Sequence, residues 1–211
     1  MREHSLSQMD EPKRNIRIVI IGDDLVSAGG DPKGLGWVGR VIAKTQSDYP
    51  RVDFYALPTP EITTATMSEI WEEECARRFA EDTDNRLVVC LNASDINSGI
   101  SMSRSRLNLA NILDTAVSKG IQPFVVSPIP SRNPQLNYDI EHLAAGFEDV
   151  AARRSLPFVD AFRPLVDHKG FNDELKNSNF GQPGQLGHGL IAWLVLNQGW
   201  YRWLDLPEQE I

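Results

Sequence analysis

The chain has 211 residues, with 29 acidic against 21 basic side chains and a formal net charge of −8. That length suits one domain able to bury most of its unfolded surface. The acidic balance argues against binding duplex nucleic acid, which calls for clustered Lys and Arg, and no apolar run approaches the ~20 residues that span a bilayer.

Residues 1–14 are charged and lack the apolar stretch of a signal peptide, so they read as a mobile N-terminal tail ahead of a single domain over 15–211. From Ile16 onward, short β-branched runs alternate with amphipathic stretches. The runs predict strands over Arg17–Ile21, Val52–Tyr55, Leu87–Leu91, Pro123–Val126 and Pro157–Val159. Helices are expected over Leu35–Ser47, Thr66–Ala80, Ser103–Lys119, Tyr138–Arg154 and Gln185–Asn197. In the fourth of these, Ile140, Leu143, Phe147 and Val150 recur at spacings of three and four, one apolar stripe. Gly120 stands where a C-cap glycine ends the third. Strict alternation of this kind predicts an α/β fold, a three-layer α/β/α sandwich around five parallel strands in flavodoxin-like order. Ser127–Leu136, with Pro128, Pro130 and Pro134, is expected to be a loop overhanging the strand ends. Cys75 and Cys90 fall on an expected helix and an expected buried strand, and so read as reduced packing thiols of a cytoplasmic protein.

The most informative stretch is the first strand, whose apolar run Ile18–Ile21 stops at Gly22-Asp23-Asp24-Leu25. A sharp turn after a parallel strand lifts the next side chain into the crevice at the sheet's carboxyl edge, where open α/β sheets bind ligands. Three further blocks stand at strand ends or a helix start: Tyr55–Thr63, Leu87–Asp95 and Asn179–Ile191, the last reading Asn-Phe-Gly-Gln-Pro-Gly-Gln-Leu-Gly-His-Gly-Leu-Ile. With the glycine-rich Gly29–Arg40 after the first turn, these blocks resemble the GDSL, or SGNH, lipase and esterase family. The resemblance runs over roughly residues 16–195 and implies that family's fold.

It also implies where the family's chemistry would sit. The nucleophilic serine falls on Asp24, the general-base histidine on Gln182 and the aspartate that orients it on Asn179. The oxyanion-hole glycine falls on Pro58 and the oxyanion asparagine on Ser94, while Asn92 takes the place of the third block's glycine. Asp23, Asp95, Pro183 and Gly187 keep the family's residues. Acyl transfer by a serine needs a nucleophile, a base and an orienting group. A glutamine takes no proton in the useful range, and proline has no N–H to give a developing oxyanion. The expectation is therefore a catalytically inactive homologue that binds a small polar or acylated molecule, or a protein partner, at pocket positions including Asp23, Asn92 and Asp95. Two alternatives stand beside it: an active ester hydrolase with an unorthodox set around Asp24, and a structural scaffold whose pocket is filled.

Other groups were weighed for the same chemistry. Ser27, Ser98 and Ser101 read as cap or loop residues. Among the histidines, His188 is expected to pack or cap at the last helix, and His168 is the one on a loop within reach of the crevice. Either Asp23, Asp24 and Asp95 converge on a hard cation or, as expected here, Asp23 and Asp95 brace their turns through backbone N–H groups; no metal and no cofactor are assigned. Trp37, Trp193, Trp200 and Trp203 read as packing residues, with Trp200 and Trp203 the candidates for an exposed patch. A homo-oligomer is compatible with all of these readings.

Overall fold

The computed structural model describes residues 14–45, 47 and 49–208. The reading of residues 1–13 as a mobile tail lies outside the described residues. Five parallel strands form one sheet: β1 Asn15–Gly22, β2 Arg51–Pro58, β3 Asp84–Cys90, β4 Gln122–Val126 and β5 Phe158–Val159. Their spatial order is β2-β1-β3-β4-β5, the flavodoxin order, in which the growth of the sheet reverses between β1 and β3. A crevice opens outside the carboxyl ends of the strands at such a reversal.

The helices that connect these strands are α1 Gly36–Lys44, α2 Thr64–Ala76, α3 Ser94–Asn97, α4 Met102–Ser118 and α5 Pro134–Ala152. After β5 come α6 Arg163–Val166, α7 Lys169–Asn177, α8 Gln185–Val195 and α9 Tyr201–Leu204. Side chains alternate across a strand, and β1 uses that alternation to feed both layers. Ile16, Ile18 and Ile20 pack with Trp37, Val41, Phe171, Ile191 and Trp200 from the α1/α7/α8/α9 side. Val19 and Ile21 pack with Met67, Trp71, Leu109, Ile112, Leu143 and Phe147 from α2, α4 and α5. Ile16, Ile18, Val19 and Ile20 are fully buried, each contributing about 1.5–3 kcal/mol over exposure. The sheet is thus covered on both faces, as its apolar strand sequences require.

The caps explain why the helices begin where they do. Thr63 and Ser101 accept the backbone N–H groups of Thr66 and Arg104 at the starts of α2 and α4. Asn133 caps α5 in the same way, with Pro134 at its first turn. The proline placed in an overhanging loop therefore opens a helix, because its missing N–H is no loss there. The short helices α3, α6, α7 and α9 lie in stretches read as loops or left unassigned. Of these, α7 has a local cap, His168 Nδ1 accepting the Phe171 N–H at 3.2 Å.

The end of α8 corrects the reading of the tryptophans. The helix passes through a wide turn over Leu196–Trp200, in which Gly199 has φ +101°. This redirects the chain so that Trp200 meets Phe124 edge-on and Trp203 packs tilted against it, with ring centroids 5.3 and 4.9 Å away. Both are buried, and the exposed tryptophan is instead Trp193, 53 % exposed on α8. Cys75 and Cys90 are free, buried thiols. Burial pushes the Cys75 thiol up to about 12 and the Cys90 thiol well above its usual range, which leaves both unreactive. No described helix is long and apolar enough to cross a membrane.

Candidate functional site

At the carboxyl end of β1 the backbone is too tight for a side chain. A Cβ on Gly22 would lie 2.0 Å from the Cys90 carbonyl oxygen and 2.6 Å from Val26. This close approach lets the chain turn at once into a 3-10 segment, Asp24–Val26. Asp23 caps that segment, its Oδ1 accepting the Leu25 N–H at 3.0 Å. Asp23 lies in the protein interior, and burial pushes its carboxyl up to about 7, with the neighbouring Asp24 charge adding to the rise. Its role is to hold the turn from below.

Asp24, the next residue, faces outward into an open crevice of about 430 Å3 lined also by Ser27, Gly29, Gly30, Pro60, Glu61, Phe180 and Gln182. The Asp24 carboxylate accepts the backbone N–H of Glu61 at 3.1 Å. Glu61 has φ +54°, a left-handed conformation uncommon for a residue with a side chain, and it turns its N–H toward β1. The Ser27 hydroxyl donates to the Asp24 carbonyl oxygen at 2.6 Å, which occupies its proton. Phe180 stands over the crevice, 87 % exposed.

The sequence-assigned positions divide between the crevice and its surroundings. Asp24 and Gln182 share it. Asn179 lies one step away, lining with Gln182, Gly30 and Phe180 a neighbouring cavity of about 590 Å3. Pro58 does not line the crevice. It ends β2 opposite Gly22, and the ladder continues past it, with the Thr59 N–H bonded to the Gly22 carbonyl at 2.8 Å. The turn that brings a donor to Asp24 comes three residues later, at Glu61. Ser94, at the first position of α3, is half-buried and does not line the crevice either. Asn92 accepts the Ile129 N–H at 3.1 Å and so ties the end of β3 to the loop after β4.

Asp95 is buried and holds the start of α2. It accepts the Thr64 N–H at 2.7 Å and the Thr64 hydroxyl at 2.6 Å, and Asn108 donates to that hydroxyl. Asp23 and Asp95 thus brace turns, and among the described residues no group of three or more His, Cys, Asp or Glu side chains gathers as a metal site.

Among the described residues, no histidine lines the crevice. His168 spends its Nδ1 on the α7 cap. His188, on α8, is fully buried: its Nδ1 accepts the Trp37 N–H at 3.1 Å and its Nε2–H donates to the Gly29 carbonyl at 2.9 Å. Burial holds it below the usual histidine range. The imidazole is a neutral clamp between α8 and the Gly29–Gly36 loop. Two carboxylates support the same loops. Asp31 accepts the Lys33 and Gly36 N–H groups at 3.0 Å each and pairs with Arg40 at 2.5 Å. The Arg40 guanidinium holds the Asp31 carboxyl well below the usual carboxylate range. Glu174 accepts the N–H groups of Gly184, Leu186 and Gly187 at 2.9, 2.9 and 2.7 Å, capping α8. The sequence does not single out Glu61 and Glu174, because each acts on residues brought to it by the fold, whereas Asp31 acts on its own loop and on Arg40 of α1.

With the geometry in hand, three comparisons place the chain. Several solved structures share the architecture. A lipase/acylhydrolase from Enterococcus faecalis is 21 % identical with a TM-score of 0.70, over 92 % of this chain and 99 % of the other. An acetylxylan esterase from Geobacillus stearothermophilus is 16 % identical with a TM-score of 0.67, over 92 % and 97 %. A psychrotrophic esterase from Pseudoalteromonas sp. is 17 % identical with a TM-score of 0.66, over 90 % and 98 %. At these identities the likeness establishes the fold. No curated protein matches the chain in sequence. The model of the GDSL-like lipase/acylhydrolase family matches residues 20–190, most of the chain, and this protein belongs to that family.

Proposed function

We propose that this family member does not hydrolyse esters by a serine mechanism and binds a small polar molecule in the Asp24 crevice. The observation that carries the reading is the Glu61 N–H bonded to the Asp24 carboxylate. A carboxylate sits where an attacking hydroxyl is needed, and it occupies a backbone donor that would otherwise face a developing oxyanion. A ligand would be held by acceptor groups on Asp24 and Glu61, by the Gln182 amide and by the exposed ring of Phe180. Such a lining favours hydroxyl or ammonium donors over anions. The crevice being open favours binding over a filled scaffold.

The test is nitrophenyl acetate hydrolysis by the wild type beside Asp24→Ala. Equal, near-background rates are expected, because neither form pairs a serine nucleophile with a histidine base in the crevice. Robust turnover lost in Asp24→Ala would overturn the reading and favour an unorthodox hydrolase centred on Asp24.

A further inference from the structure

One buried side chain pins the wall of the crevice at two points. Both ring nitrogens of His188 are spent on the segment that runs from the crevice into α1: Nε2–H donates to the Gly29 carbonyl, and Nδ1 accepts the Trp37 N–H. Gly29 and Gly30 line the Asp24 crevice, and Gly30 lines the neighbouring cavity as well. The wall is closely fitted. A Cβ on Gly30 would lie 2.4 Å from the Pro183 carbonyl oxygen and 3.2 Å from the Gln182 Cβ. Any shift of this segment against α8 therefore changes the space beside Gln182.

The hydrogen bonds fit one protonation state only. Neutral imidazole offers one donor and one acceptor, whereas imidazolium offers two donors and no acceptor. A proton on Nδ1 would face the Trp37 N–H, donor against donor. Trp37 is the second residue of α1, so its N–H has no partner within the helix, and Leu35 supplies no side-chain cap. A cation at this point also meets the positive end of the α1 dipole. The charged groups facing the ring are Asp31 in the loop, Arg40 on α1 and Glu174 on α7. Both carboxylates already accept backbone N–H groups, Asp31 from Lys33 and Gly36, Glu174 from Gly184, Leu186 and Gly187. Neither is free to take over the Trp37 N–H.

We propose that His188 is an acid-operated latch on the crevice. A proton taken from solvent at Nδ1 releases the Trp37 N–H and unpins the start of α1 from α8. The Gly29 contact is then left alone to hold the loop, and the Gly29–Gly30 wall shifts against Gln182. As regulation of ligand binding this rests on the crevice being the binding site. The latch itself does not, and its test needs no ligand.

The experiment is an NMR titration of the full chain from about pH 8 to about pH 4.5, a range that spans histidine ionisation. The backbone amides of Gly29, Gly30, Trp37 and Gln182 should move together, with one midpoint below the ordinary histidine value of 6.5. The His188 ring signals should share that midpoint, while the amides of Val88 and Phe124 in the sheet stay in place. Protection of the Trp37 amide against hydrogen exchange, corrected for its intrinsic rate, should fall about tenfold per pH unit on the approach to the midpoint. Far-UV circular dichroism should stay constant over the same range. His188→Gln keeps a donor and an acceptor without titrating and should abolish the shared midpoint. His168→Asn, which leaves a good capping residue on α7, should retain it. Should His188→Gln not fold, the wild-type ring and amide curves decide alone. Ring titration that leaves Gly29, Gly30 and Gln182 unmoved overturns the proposal, as does a ring that stays neutral throughout. Global unfolding at the His188 midpoint, or a shared midpoint that survives in His188→Gln, overturns it equally. A crevice that changes in this way yet binds no polar ligand at any pH would keep the latch and sink the reading of the crevice as a binding site.

Discussion

The Glu61 backbone N–H and the Asp24 carboxylate, 37 residues apart in sequence, meet at 3.1 Å at the carboxyl edge of the sheet. Two features of the fold produce the contact. The parallel register sets Gly22 opposite Pro58, and the turn after β2 holds Glu61 at φ +54°. A carboxylate thus rests at the mouth of the crevice on a backbone donor from the turn after β2.

The first prediction follows from that donor. Asp24→Ser should release the Glu61 N–H but restore no ester turnover, because a hydroxyl without a base stays protonated. Adding Gln182→His and Asn179→Asp should bring activity in together, since such groups act as a unit. Pro58→Gly should add little, its backbone being part of the β2 ladder. A second donor at the crevice would be worth roughly 100- to 1000-fold. Nitrophenyl acetate rates of the single and triple variants, each first confirmed folded, decide it. Good turnover by Asp24→Ser alone would show that a base is already in reach.

The second concerns Asp23. Its carboxyl is raised to about 7 in the fold against 3.8 ordinarily, so between those values the folded chain holds a proton that the unfolded chain has released. This term is fully present at low pH and falls away as pH rises from about 4 to about 7, by at most about 4 kcal/mol. Asp23→Asn lacks the titration while its amide oxygen keeps the Leu25 bond. Its melting temperature relative to wild type should therefore climb between pH 5 and pH 8. A constant difference across that range would refute the assignment.

His188 titrates with the opposite sign. Burial lowers its pKa in the fold, so its contribution is present above the ordinary value of 6.5 and is lost as pH falls below it. The charged groups facing it are Asp31, Arg40 and Glu174. Replacement by alanine leaves the buried Trp37 N–H without its acceptor, costing about 1–3 kcal/mol for that group alone. Urea unfolding of His188→Ala at pH 7.5 and pH 5.5 should show a large loss at the higher pH and a smaller one at the lower. An equal loss at both would mean that packing alone is at stake.

The strands and major helices were legible because their signals are local. The run Ile18–Ile21 before Gly22, the stripe Ile140–Leu143–Phe147–Val150 and the glycine after α4 act over a few residues of chain. The Gly22-Asp23-Asp24-Leu25 turn after β1 was legible for the same reason, since it lies in one local block. The tertiary structure alone decided which groups meet that turn. Glu61 reaches Asp24 through strand register and a left-handed loop residue, while Pro58 stays in the ladder. His188, expected from the sequence to pack or cap, is clamped on both nitrogens by the main chain of Trp37 and Gly29, 151 and 159 positions away. Trp193 lies outside and Trp203 inside because Gly199 bends the chain between them. Local pattern sets secondary structure through side-chain period and caps, but whether a polar group is free, paired or buried depends on backbone brought from elsewhere in the chain.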